Sequence, residues 1–156
     1  MKNKIENILF VCTGNSCRSV MAEGLLKKML KEQERHDITI SSAGTAAIDG
    51  FNPADNAIAV MKKEGVDVSD YKTSLLDSNT IKKADLILVM QRIHKDLVLN
   101  LVPEAKEKTH LLKEYVKLKG DSRDTSVPDP IGRPLEVYER VLDMLKIHIE
   151  ELVKML

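Results

Sequence analysis

The chain has 156 residues, enough for one domain, taken here as residues 1–156, with a full core. Lys plus Arg and Asp plus Glu both number 24, so the net charge is zero and nothing marks a nucleic-acid or membrane surface. The two cysteines, Cys12 and Cys17, make neither a secreted disulfide scaffold nor a four-ligand zinc site, since His36, His94, His110 and His148 show no ligand spacing.

The opening Met1-Lys2-Asn3-Lys4 runs straight into the first apolar segment, without a leader pattern or a run of about twenty apolar residues. A cytoplasmic location is the expectation. The run Ile8-Leu9-Phe10-Val11 predicts a strand over 7–11. A polar loop follows, then a helix over 20–33 carrying Met21, Leu25, Leu26, Met29 and Leu30. A strand over 38–41 leads into an irregular segment over 42–52. Helices over 53–64 and 78–83 come next, then a strand over 86–90 and a helix over 92–101. The last predicted strand covers 109–112. A second irregular segment, 119–134, precedes a long helix over 135–155. Leu135, Tyr138, Leu142, Leu145, Ile149, Leu152 and Leu156 lie on one of its faces. The alternation implies an α/β fold: a four-stranded parallel sheet with helices on both faces. Ligands in such sheets sit beyond the carboxyl ends of the strands, which both irregular segments can reach.

The chemistry concentrates in Cys12-Thr13-Gly14-Asn15-Ser16-Cys17-Arg18-Ser19, between the first strand and the first helix. A loop there turns backbone N–H groups inward, and the helix start adds a positive dipole end, so it cradles an anion. A cysteine at the lip of that cradle has its thiolate favoured. Arg18 adds a planar charged fork suited to phosphate oxygens. A thiolate inside a phosphate cradle means phosphoryl transfer to sulfur. A poor leaving group then needs a general acid. Asp129 is the candidate, held stiffly between Pro128 and Pro130. Asp121 and Asp124 lack that setting and rank lower.

The cysteine loop near the N-terminus and Asp129-Pro130 far downstream resemble the low-molecular-weight protein tyrosine phosphatase family. Met21-Ala22-Glu23, Ser42-Ala43-Gly44 and the terminal helix extend the resemblance over essentially the whole chain. It implies a phosphate-binding loop formed by Thr13, Gly14, Asn15, Ser16, Cys17 and Ser19. It implies Cys12 as nucleophile, Arg18 as phosphate ligand and Asp129 as acid, with a phosphocysteine intermediate and no metal or cofactor. Ser19 resembles the hydroxyl that supports the thiolate. Asn15 resembles the residue that holds the loop in shape, with Ser42 as its partner. Cys17 resembles the second cysteine that traps an oxidised nucleophile as a reversible disulfide.

Several departures from the tyrosine-specific pattern point to its protein-arginine-phosphatase branch. Ser16 stands where tyrosine phosphatases of the family commonly carry isoleucine. A hydroxyl makes a roomier, more polar rim that accepts hydrogen bonds from a guanidinium. Gly44-Thr45-Ala46-Ala47-Ile48-Asp49 lacks a large aromatic, and Ile131-Gly132 replaces tyrosines after Asp129-Pro130. Leu112-Lys113-Glu114-Tyr115-Val116 also resembles the arginine branch. Val20 departs in another way, since the family usually has proline there; a slightly looser loop exit is expected. The expected activity is dephosphorylation of phosphoarginine on proteins, with phosphotyrosine as the alternative. The expected partners are phosphorylated proteins, and the chain is expected to be a monomer.

Arsenate reductases share such a loop but relay electrons through further cysteines, and none follows Cys17. A phosphopeptide-binding module would have lost the nucleophile or the acid. A sugar-transport phosphocarrier would need neither Arg18 nor Asp129. A redox sensor built on Cys12 and Cys17 is compatible with phosphatase activity.

Overall fold

A computed structural model describes residues 4–120 and 123–156. The first three residues and the lower-ranked acid candidate Asp121 lie outside them. Strand β1 (Asn7–Cys12) is flanked by β2 (Thr39–Gly44) and by β3 (Leu86–Val89), and β4 (Thr109–Leu111) lies beyond β3. All pairings are parallel, in the order β2-β1-β3-β4. The four-stranded parallel sheet with helices on both faces, expected from the alternation, is present.

Side chains alternate across a strand, so β1 supplies both faces of the sheet. Ile8 and Phe10 join one core with α1 (Arg18–Glu32), α2 (Asp55–Lys63) and α6 (Leu135–Met155). Leu9 and Val11 join a second core with α3 (Ser78–Lys83) and α4 (Arg92–Leu101). These β1 residues are buried on both sides, which explains an unbroken apolar run where a one-sided strand would alternate. Along α6 the buried positions Tyr138, Val141, Leu142, Leu145, Ile149 and Leu152 recur at helical spacing.

The predicted bounds of α3, α4 and α6 coincide with the observed ones. Helix α3 has a local reason: the Asp77 carboxylate accepts the Thr80 N–H at 2.8 Å and caps its start. Other segments differ. Ser42, Ala43 and Gly44 belong to β2, paired with Phe10, Val11 and Cys12, so the irregular segment is shorter than predicted. Helix α1 starts two residues early because Met21 N–H already bonds Cys17 O at 2.9 Å. Helix α2 starts later, at Asp55, because Ala54 N–H is turned back onto Ser16 O at 3.0 Å. Two short pieces were not predicted: a 3₁₀ turn at Pro103–Lys108 and α5 (Leu112–Tyr115), which ends β4 one residue early. Both are too short to show a period. Among the described residues, no helix is long and apolar enough to cross a membrane.

Candidate active site

The loop from β1 to α1 lies at the carboxyl edge of the sheet, and its carbonyls are held from outside. Cys12 O accepts Thr45 N–H and Thr13 O accepts Ala46 N–H, each at 2.9 Å. Ser16 O accepts Ala54 N–H at 3.0 Å, and Cys17 O accepts Met21 N–H at 2.9 Å. With carbonyls anchored outward, the loop amides are free to face its interior, the arrangement that binds anions.

Asn15 braces the loop from within. Its backbone is left-handed, φ +54°, which asparagine tolerates better than most residues. Its side chain is fully engaged. The carbonyl accepts Ser74 N–H at 2.8 Å, and the amide donates to Ser19 Oγ at 2.8 Å and Ser42 Oγ at 2.9 Å. Ser42 O–H in turn donates to Glu23 Oε1 at 2.5 Å. This fixes the polarity of the chain. Ser19 Oγ accepts from Asn15, so its own proton is available to Cys12 Sγ, 2.9 Å away. A hydroxyl donating to sulfur stabilises a thiolate.

A cavity of about 220 Å³ opens above this loop. Cys12, Thr13, Gly14, Ser16, Cys17, Arg18, Asp129 and Ile131 line it. Asn15 and Ser19 lie behind it, both buried. Arg18 is only 1% exposed. Its Nη1 donates to Gln91 Oε1 at 2.6 Å and to Val127 O at 3.0 Å. Its Nη2 lies 3.4 Å from Thr13 Oγ1 and 3.5 Å from Asp129 Oδ2. The Asp129 carboxylate is 39% exposed, so the buried guanidinium has only a partly solvated counter-charge.

The loop that carries Asp129 is tied to the same side chains. Val127 N–H bonds Met90 O at the end of β3 (2.9 Å), while Val127 O accepts from Arg18. Asp129 Oδ1 accepts Ile131 N–H at 3.1 Å, which leaves Oδ2 toward Arg18. Asp124 is exposed and bonds Ser126 N–H. Burial raises the Cys17 thiol above its ordinary range, against hydrogen bonding from Tyr138 OH at 3.4 Å. Both cysteines are free thiols.

Sequence reasoning missed Gln91, His94 and Val127, and it did not see what Gly44 does. His94 and Val127 gave no local signal; Gln91 could have been suspected because it directly follows a predicted strand, at the sheet edge where ligands bind. A larger cleft of about 500 Å³ lies between α1, α6 and the end of α2, away from this loop. Three lysines and three glutamates balance its charge, and its lining residues include no cysteine, serine or histidine.

The model of the low molecular weight phosphotyrosine protein phosphatase family matches residues 7–156. A protein-arginine-phosphatase of Geobacillus stearothermophilus is 37% identical over 149 residues, covering 96% of this chain and 95% of the relative. An arsenate reductase of Staphylococcus aureus is 35% identical, covering 93% and 94%. The crystal structure of a low molecular weight protein tyrosine phosphatase from T. tengcongensis superposes with a TM-score of 0.88. That structure is 40% identical, covering 97% of this chain and 99% of its own.

Proposed function

The chain belongs to the low molecular weight phosphotyrosine protein phosphatase family, and on that premise we propose that it hydrolyses phosphoarginine on proteins through Cys12, Arg18 and Asp129. The observation that carries the reading is the convergence of these three side chains on one small cavity above an anchored loop. In the first step the Cys12 thiolate attacks phosphorus in line. The loop amides and Arg18 hold the equatorial oxygens. The P–N bond breaks, and its electron pair takes the proton of Asp129. In the second step Asp129 accepts a proton from water as the water attacks phosphorus, and the P–S bond breaks to return the thiolate. Positioning and charge stabilisation supply most of the acceleration.

The leaving group explains the weight placed on Asp129. The guanidinium of arginine gives up its proton far less readily than the phenol of tyrosine, whose pKa is about 10, so an unprotonated guanidine is the far poorer leaver. Ser16 at the cavity lining supports a polar substrate, and the arginine phosphatase of Geobacillus stearothermophilus is a relative over nearly the full length. Phosphotyrosine is the second reading. It is favoured by Ile131, an exposed aliphatic side chain at the cavity that could lie against a phenyl ring. Arsenate reduction is not favoured, because the chain has no cysteine beyond Cys12 and Cys17 to relay electrons.

The test is kcat/KM on matched phosphoarginine and phosphotyrosine peptides, with Cys12→Ser and Asp129→Asn as controls. A phosphoarginine preference lost in both controls supports the proposal. A phosphotyrosine preference moves the substrate to the second reading. No turnover of either peptide refutes both.

A further inference from the structure

His94 is fully buried, and the catalytic scheme above does not use it. We infer that His94 is a positioning residue for Arg18, acting through Gln91 and Thr13, the two side chains that hold the guanidinium. The inference rests on the reading of Arg18 as the phosphoryl ligand.

The bonds around the ring define its state. Gln91 N–H points at His94 Nδ1 from 3.1 Å, so Nδ1 accepts and carries no proton. The neutral ring therefore has its proton on Nε2 and donates it to Thr13 Oγ1 at 2.8 Å. A neutral ring is also what its surroundings favour, since burial and the adjacent Arg18 oppose a second positive charge.

Both residues bonded by the ring also bond Arg18. Gln91 Oε1 accepts from Nη1, and Thr13 Oγ1 lies within reach of Nη2. They arrive from different parts of the fold, Thr13 from the loop after β1 and Gln91 from the junction of β3 and α4. Besides Arg18 itself, His94 joins them, through its two ring nitrogens. Its effect on Thr13 is directional. A hydroxyl oxygen that accepts from His94 and from Arg18 must turn its own proton away from both. Without the ring the hydroxyl is free to rotate, and it can present its proton to the guanidinium, donor against donor. Arg18 then loses an acceptor on one side of its plane. A buried histidine whose only role was to finish the first turn of α4 would bond Gln91 and have no reason to reach Thr13.

The test uses inhibition by orthovanadate, which adopts the geometry of the phosphoryl transition state, together with steady-state kinetics on p-nitrophenyl phosphate. His94→Phe and Thr13→Val should each weaken vanadate inhibition roughly tenfold and lower kcat similarly, with KM within about twofold. The rate of Cys12 alkylation by iodoacetamide should stay at the wild-type level, because Ser19 supports the sulfur from the other side. Wild-type kinetics and vanadate affinity in both variants, with only a lower Tm, would reduce His94 to a structural role. Nitrogen-15 spectra of the unaltered protein provide a readout independent of any variant. A neutral ring protonated on Nε2 is expected at pH 7, and either the Nδ1-protonated form or an imidazolium overturns the inference. Arg18→Lys separates the two levels. If it loses vanadate affinity while His94→Phe and Thr13→Val retain it, only the positioning role falls. If Arg18→Lys also binds vanadate normally, the phosphoryl reading of the site falls with it.

Discussion

Replacing Gly44 with alanine should remove most of the activity while the sheet still forms. Gly44 ends β2 where that strand meets the loop between β1 and α1. A Cβ on it would lie 2.5 Å from Thr13 O, 2.7 Å from Asn15 N and 2.9 Å from Ala47 Cβ. The first two are backbone atoms of the loop, and they cannot rotate away as a flexible side chain could. Side-chain carbons essentially never approach closer than 3.0 Å, so Thr13 O alone must retreat by about 0.5 Å. Reaching ordinary carbon contact near ~3.5 Å would require about 1 Å. The retreat is resisted by the Ala46 N–H bond to the same carbonyl, so strain spreads into the loop. Overpacking of this kind costs about 1–3 kcal/mol, and a ~1 Å displacement of catalytic groups costs roughly 10²-fold in rate. The assay is kcat/KM on p-nitrophenyl phosphate beside thermal unfolding. Expected are a loss of roughly 10²-fold and a Tm lower by about 2–10 °C. Gly50→Ala is the contrast: no atom lies within 4 Å of its Cβ, yet φ is +90°. It should lose about 1 kcal/mol of stability to backbone strain and keep its activity. A Gly44→Ala enzyme with wild-type kcat/KM would refute the claim that backbone contact shapes the loop.

Asp129→Asn should lower kcat/KM, which reports formation of the phosphocysteine, by about 10²–10⁴-fold on phosphoarginine peptides and by much less on p-nitrophenyl phosphate, because nitrophenolate leaves without a proton. Equal losses on both substrates would count against Asp129 as the acid. Burial, with Arg18 adding to it, lowers the His94 pKa from 6.5 to about 4. A base depressed in the fold contributes stability that is complete above the unfolded value. That contribution fades as pH falls from 6.5 toward 4, and it amounts to about 3 kcal/mol. Urea unfolding at pH 7 and pH 4.5 should show a smaller acid loss in His94→Gln than in the parent; parallel losses would exclude His94 as a source. Ser16→Ile should shift the ratio of kcat/KM from phosphoarginine toward phosphotyrosine peptides. An unchanged ratio would mean that the Ser16 rim does not set specificity.

The strand, loop and helix that carry Cys12 and Arg18 were legible because each depends on neighbours in sequence. An apolar run buried on both sides makes β1, and helical spacing of Leu25, Leu26 and Leu30 makes α1. Caps and periodicity are likewise local, so α3, α4 and α6 could be bounded from the chain alone. Asp129 could be proposed only beside the cysteine loop, because a proline-flanked aspartate by itself reads as a turn. What surrounds Arg18 could not. Gln91 and Val127 are separated from it by 73 and 109 residues, and nothing in their own neighbourhoods marks them as ligands of a guanidinium. His94 was visible only as a histidine without ligand spacing, because its partner Thr13 lies 81 residues away. Gly44 was visible as part of a motif, but the need for a missing side chain arises from loop atoms that pairing of β1 with β2 brings against it. Local periodicity sets which segments form elements. Only their packing in the order β2-β1-β3-β4 decides which distant polar atoms are buried together and must satisfy one another.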